Sequence, residues 1–362
     1  MQRKSFMPIA SSAVSQKFQP TRRNLTQLLG AGAVALALSP SAAWAQEFPA
    51  AKPIKLVVPF PAGGSSDAAG RLVAQEMGTL LGQTMVVDNK GGANGIIGTD
   101  FVAKSAADGY TLVLVDIFHT TAPIYTRKMP YDAVKDFTPI GLLARTPAFL
   151  FANPAFVDKT VGTALQTVKA TPEGINRIVA TKVLDAAKAQ PGKVTMAMIG
   201  SGSVVVEMMR AGSGAQFTNV PYRGSSPALI DLISGQTDLM LTTMASAAVH
   251  FKSGKLRLLA VTTAKRDSDY PDVPTLAELG VKGMDYEQWF GVLAPAGTPK
   301  AVVDKLNAAL AKAAATPNAK ERLAGLSMDA ATGTPEDFKK RVESDAQKWV
   351  KLAAEMGIKP LD

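Results

Sequence analysis

The chain alternates short apolar runs with glycine turns, and an amphipathic stretch follows each turn. Ile54 to Val58 is short, β-branched and bounded by breakers, which predicts a buried strand. Pro59 and Pro61 stop it, Gly63 and Gly64 allow a turn, and Ser65, Ser66 and Asp67 are good helix N-caps. Ala68 to Leu81 continues as an amphipathic helix. The pattern then repeats: a strand over Thr84 to Asp88, a glycine turn over Lys90 to Gly95, and a helix over Ile96 to Ala106. Asp108-Gly109 turns into a third strand, Tyr110 to Val115. This order predicts an α/β fold with a mostly parallel sheet.

A strand, a glycine turn and a helix start leave free backbone N–H groups at the carboxyl end of a sheet, which attracts anions. The first two turns therefore read as the arms of a carboxylate-binding pincer, or else as tight turns alone. Gly92, Gly95 and Gly98 do not have the Gly-x-Gly-x-x-Gly spacing of a dinucleotide site.

Residues 1–45 carry five Lys or Arg and no Asp or Glu. Arg22-Arg23 precede an apolar run from Leu28 to Leu38, and Ala43-Trp44-Ala45 supplies a small-x-small cleavage site. This pattern predicts a twin-arginine signal peptide, cut after Ala45; the run is too short for a membrane anchor. Removing it lowers the net charge from +9 by five to +4, and no basic run suits nucleic acid. The remaining length suggests two domains.

There is no cysteine, which excludes disulfides, thiolate chemistry and cysteine-bound metal. The two histidines, His119 and His250, are far apart, and there is no His-x-x-x-His spacing, Gly-x-Ser-x-Gly elbow or Walker loop. Nothing recommends an enzyme, and no catalytic residue, metal ligand or cofactor is expected.

Val58 to Asp67, Gly91 to Gly98 and Ala107 to Leu112 resemble the periplasmic solute-binding receptors of tripartite tricarboxylate transporters, the Bug family. Tyr131–Pro139, Val220–Gly224, Gly235–Asp238, Leu256–Arg266, Pro271–Thr275, Trp289–Gly291 and Ala294–Pro299 extend the similarity over nearly the whole mature chain. The resemblance implies a two-domain type II periplasmic-binding-protein fold with the ligand cleft between domains. Residues 46–149 and 258–362 would form domain 1 and residues 150–257 domain 2. It also implies a small organic carboxylate as ligand, permease subunits as partners and a periplasmic monomer. A sensor subunit presenting ligand to a membrane histidine kinase is the other reading.

Carried over residue by residue, the resemblance points to Phe60, Ala62, Gly63, Gly64 and Ser65 in the first turn and Gly92, Ala93, Asn94 and Gly95 in the second. Asp67 either caps its helix or touches the ligand or bound water. Met196 to Ile199 predicts a strand running into a third ligand-facing turn with Ser201, Gly202 and Ser203. One helical turn is missing between this turn and Glu207. At Val220 to Pro227, a fourth junction, Ser226 reads as N-cap and Pro227 as the first helical residue. Tyr222 stacks on ligand or closes the core, and Arg223 clamps a carboxylate or is solvated. The segment near 163–182 looks about twenty residues longer than the family pattern, a solvated helical insertion.

Two departures fall where the pocket is expected. The third strand ends in Asp116, which in the cleft would repel a second carboxylate and welcome an ammonium or hydroxyl, or which faces water beside it. Thr243 stands in a hinge where the family often has charge or amide. Trp289 packs near the cleft or in the core.

Overall fold

The computed structural model describes residues 48–162, 171–199, 203–358 and 360. The leader expected over residues 1–45 lies outside them, as do Ser201 and Gly202. The chain begins β1 (Ile54–Val58), α1 (Ser65–Leu81), β2 (Met85–Asn89), α2 (Ile96–Ala103), β3 (Thr111–Asp116), α3 (Phe118–Tyr125) and β4 (Phe137–Pro147). It continues β5 (Phe149–Ala152), α4 (Pro154–Val161), α5 (Pro172–Ala189), β6 (Val194–Ile199), α6 (Val204–Ser213), β7 (Phe217–Tyr222) and α7 (Ser225–Ser234). Then come β8 (Leu239–Thr242), α8 (Met244–Lys252), β9 (Arg257–Val261) and β10 (Glu287–Pro295). The chain ends with α9 (Lys300–Ala315), α10 (Pro317–Gly325), β11 (Asp329–Ala330) and α11 (Pro335–Glu355).

Two sheets organise these elements. The first has the order β11-β4-β10-β3-β1-β2 and the second β7-β6-β8-β5-β9. Each holds three parallel strands, β2-β1-β3 and β7-β6-β8, joined by helical crossovers and extended by antiparallel neighbours. The central strands are buried along nearly their whole length, as parallel strands covered by helices must be.

The chain changes sheet twice. Ala148 alone separates β4 in the first sheet from β5 in the second. The return runs from β9 through residues 262–286 into β10, so position 258 falls inside a strand of the second sheet. Thr262, fully buried, ties these crossings together. Its backbone N–H donates to the Ala148 carbonyl (3.0 Å), and its hydroxyl reaches Ala148 N–H (3.0 Å) and the Tyr286 carbonyl (2.8 Å).

One local reading changes. The Thr171 hydroxyl accepts the Gly174 N–H at 3.2 Å and caps α5, with Pro172 in the first helical turn. That helix is not a solvated insertion, because it buries Val179, Ala180, Val183, Leu184 and Ala187 in one stripe; residues 163–170 lie outside the described ones. The C-terminal α11 starts at a capping box between Thr334 and Asp337, and buries Phe338, Val342, Asp345, Trp349 and Ala353.

Candidate functional site

A cleft runs between the two sheets where their parallel strands end, the place where open α/β folds bind ligands. From the first domain it is lined by Phe60, Pro61, Gly64, Ser65, Ser66, Asp116 and Phe118. From the second come Met198, Ile199, Ser203, Val205, Val206, Gly224, Ser225, Leu241 and Thr242. Ala148, Tyr286 and Gln288 form its floor beside the crossings. Four helices begin at it, α1, α3, α6 and α7, so several backbone N–H groups without intrahelical acceptors face one space.

The first turn is held from below by Asp67. Its carboxylate accepts from the Gly63 N–H (3.0 Å), from Arg71 Nε (2.9 Å) and from Asn89 Nδ2 (3.0 Å). Burial pushes the acid up, but the Arg71 bond and the other donors outweigh it and hold the carboxyl below its ordinary value. Gly64, not a serine, is the N-cap of α1, in extended backbone. Asp67 therefore fixes the turn and does not line the cleft.

The second turn lies behind the first. Asn94 and Gly95 line a separate cavity of about 10 Å³ with Thr99, His119 and Tyr131, and Phe60 and Phe118 stand between it and the main cleft, their rings 5.6 Å apart. Gly92 and Ala93 line neither space. Asp116 borders both.

Asp116 is 3% exposed and does not face bulk water. Its Oδ2 accepts from Ser66 Oγ (2.8 Å) and its Oδ1 from the Phe118 N–H (2.9 Å). Burial raises its carboxyl to about 6, against the lowering by those two donors and by its own backbone N–H.

The domains also touch each other directly across the cleft. Ser65 N–H donates to Ser246 Oγ (3.1 Å), which bonds Ser225 Oγ (3.2 Å), and Ser226 Oγ donates to the Ala62 carbonyl (3.1 Å). Ser226 was expected to cap a helix; Gly224 takes that position, and the Ser226 side chain points across the gap instead. Arg223 is exposed and outside the lining.

Three other expected residues sit elsewhere. The Tyr222 hydroxyl donates to Asp231 Oδ2 at 2.7 Å within the second domain, away from the lining. Thr243 is buried with a hydroxyl that has no partner among the described residues, and its neighbours Leu241 and Thr242 reach the cleft in its place. Trp289 is fully buried, donates its indole N–H to Asp345 Oδ2 at 2.7 Å and meets the Phe338 ring edge-on. Successive strand residues point to opposite faces, so Gln288 faces the cleft and Trp289 the core. Ser66, Ser225, Tyr286 and Gln288 escaped the sequence reading; only the alternation within β10 could have pointed to Gln288.

The sequence model of the Tripartite tricarboxylate transporter family receptor matches residues 69–181 and 177–358. The chain belongs to that family. It is 33% identical over 346 residues to BugT of Bordetella pertussis, covering 93% of this chain and 99% of that one. Among solved structures it resembles Rpa4515 of R. palustris with adipate, at 32% identity and TM-score 0.77, covering 87% of this chain and 100% of that one. It also resembles MatC of Rhodopseudomonas palustris with bound malate, at 29% identity and TM-score 0.74, covering 84% and 99%. The fold is the two-domain periplasmic-binding-protein fold, and family members are periplasmic binding proteins.

Proposed function

We propose that this receptor captures a small carboxylate between its two domains and delivers it to the permease subunits of a tripartite tricarboxylate-type transporter. The observation that carries the reading is the cleft itself. It gathers helix starts and serine hydroxyls from both domains, and no Lys, Arg or His is among its described lining residues. Backbone amides and hydroxyls can hold a carboxylate without a formal positive charge. The adipate and malate held by the two similar structures support the same ligand class.

In this reading Phe60, Gly64 and Ser65 form the carboxylate end, with Ser203 and Ser225 opposing them, while Ala62 and Gly63 lie outside the lining, tied to Ser226 and Asp67. The second glycine turn, set behind Phe60, supports the first and does not grip the ligand. Domain 1 comprises residues 46–149 and 258–362 apart from Phe149, which opens β5, and the end of β9, and domain 2 the residues between. The protein reaches the periplasm through its twin-arginine leader, acts as a monomer and turns over no substrate.

Native mass spectrometry of the protein purified from periplasm is expected to reveal a retained small acid that unfolding releases. Absence of any retained acid, together with no thermal shift from mono-, di- or tricarboxylates, would overturn the reading. Conversion of the acid during incubation would make the protein an enzyme.

A further inference from the structure

Asp116 is the only acidic side chain lining the cleft among the described residues, and no basic one accompanies it. The carboxylate is shut from water and forms no ion pair among the described residues. Ser66 Oγ and the Phe118 N–H take one position on each oxygen and the residue's own backbone N–H adds a third interaction, whereas a carboxylate can accept about four. Acceptor capacity thus remains on a buried anion at the edge of the ligand space. An ion in that setting is costly unless a cation or further hydrogen-bond donors complete it.

We infer that Asp116 is the specificity-determining residue of the cleft, and that the ligand it selects carries a protonated amine as well as its carboxylate. The inference rests on the carboxylate-receptor reading above and narrows it to an amino acid in the chemical sense, α or ω. A dicarboxylate would put its second charge beside the fixed acid with no side-chain cation in the lining to offset the pair. A zwitterion resolves both ends: its carboxylate meets the helix starts and its ammonium meets Asp116 in a charge-assisted bond. Ser66 is a positioning residue here, since its hydroxyl sits on Oδ2 and comes from the same helix start that faces the ligand. The cleft floor adds neutral polar groups only, on Tyr286 and Gln288.

Calorimetry at neutral pH on matched sets tests this: 4-aminobutyrate against succinate, 6-aminohexanoate against adipate, and alanine against lactate and propionate. In the wild type the amine member of the best-bound set should bind at least about tenfold tighter than its acid or hydroxyl counterpart. Asp116→Asn should lose about tenfold for the amine and gain affinity for the acid, inverting the order. A dicarboxylate or hydroxy acid ranking first in the wild type would overturn the inference while leaving the carboxylate receptor standing. So would a ranking unchanged in Asp116→Asn. Failure of every compound to bind the wild type would overturn the receptor reading and the inference together. The wild-type ranking needs no variant, so poor folding of Asp116→Asn would not shield the idea.

Discussion

Asp116 and His119 lie three positions apart, and burial acts on them in opposite senses. It raises the Asp116 carboxyl to about 6 and lowers the His119 imidazole to about 4, although the Ala133 carbonyl at 2.7 Å from Nε2 works against the latter. Between about 4 and 6 the folded state binds more protons at Asp116 than the unfolded chain does, and fewer at His119. As pH rises through that window, stability falls on account of Asp116 and rises on account of His119. Asp116→Asn removes the first contribution alone. The difference in unfolding free energy between variant and wild type should be near zero below pH 3.8 and should grow above it, favouring the variant by up to about 3 kcal/mol above pH 6. Urea titrations across that range measure it, and a difference independent of pH would mean that Asp116 is solvated. Such a stabilising substitution fits a residue kept for ligand recognition at a cost to the free protein. Gly64 provides a second residue-scale test. Its φ is −90°, so alanine fits the backbone, but the added Cβ would lie 2.8 Å from Ser225 Oγ in the other domain. Gly64→Ala should fold normally and bind its ligand about tenfold more weakly or worse, because the cleft can no longer close. Unchanged affinity by calorimetry would remove this contact from the binding event.

Among the elements, β10 separates structure from site one residue at a time. Gln288 looks into the cleft while Trp289 fills the core and donates to Asp345, which also accepts from Arg341 Nε at 2.8 Å. Trp289→Phe should lower stability by about 1–3 kcal/mol, since it deletes a buried bond to a charged group, and should leave ligand affinity within about twofold. A large loss of affinity at intact stability would move Trp289 back to the site. The same strand shows why the sequence was legible in some places only. The β1, glycine turn and α1 unit follows from its own residues: four apolar positions in a run of five, two prolines and two glycines fix it locally. The second unit is as clear, although α2 ends at Ala103, three residues before the periodicity does. The parity of β10 depends on its pairing with β3 and β4, more than a hundred residues away in the chain, and no local pattern states it. Likewise Ser225 and Ser226 read as a helix start, which they are near. The bond from Ser226 to the Ala62 carbonyl is settled by how the two domains meet, and Ser225 bonds Ser246 of its own domain, which the Ser65 N–H reaches from the other.

In the whole molecule, the described cleft is a closed one. It encloses about 40 Å³, far below the roughly 300–1,000 Å³ of small-molecule sites, so a ligand enters only when the domains part. Two features set how they part. Serine contacts hold the outer edge through Ser65 N–H, Ser246, Ser225, Ser226 and the Ala62 carbonyl. At the opposite side Thr262 binds the crossings at Ala148 and Tyr286. The edge contacts are few, partly exposed and neutral, worth about 0.5–1.5 kcal/mol each, too little to keep the free protein shut against the entropy released on opening. The Thr262 bonds are fully buried and join adjoining strands, so they act as the fixed side of a hinge. Ligand should therefore shift a partly open population to the closed form, and solution scattering should give a smaller radius of gyration in the complex than in the free protein. Ser226→Ala, which loses the bond to Ala62, should enlarge the radius of the free protein and leave that of the saturated complex unchanged. Identical curves with and without saturating ligand, in wild type and variant alike, would show that the domains do not move and that the ligand enters by another route.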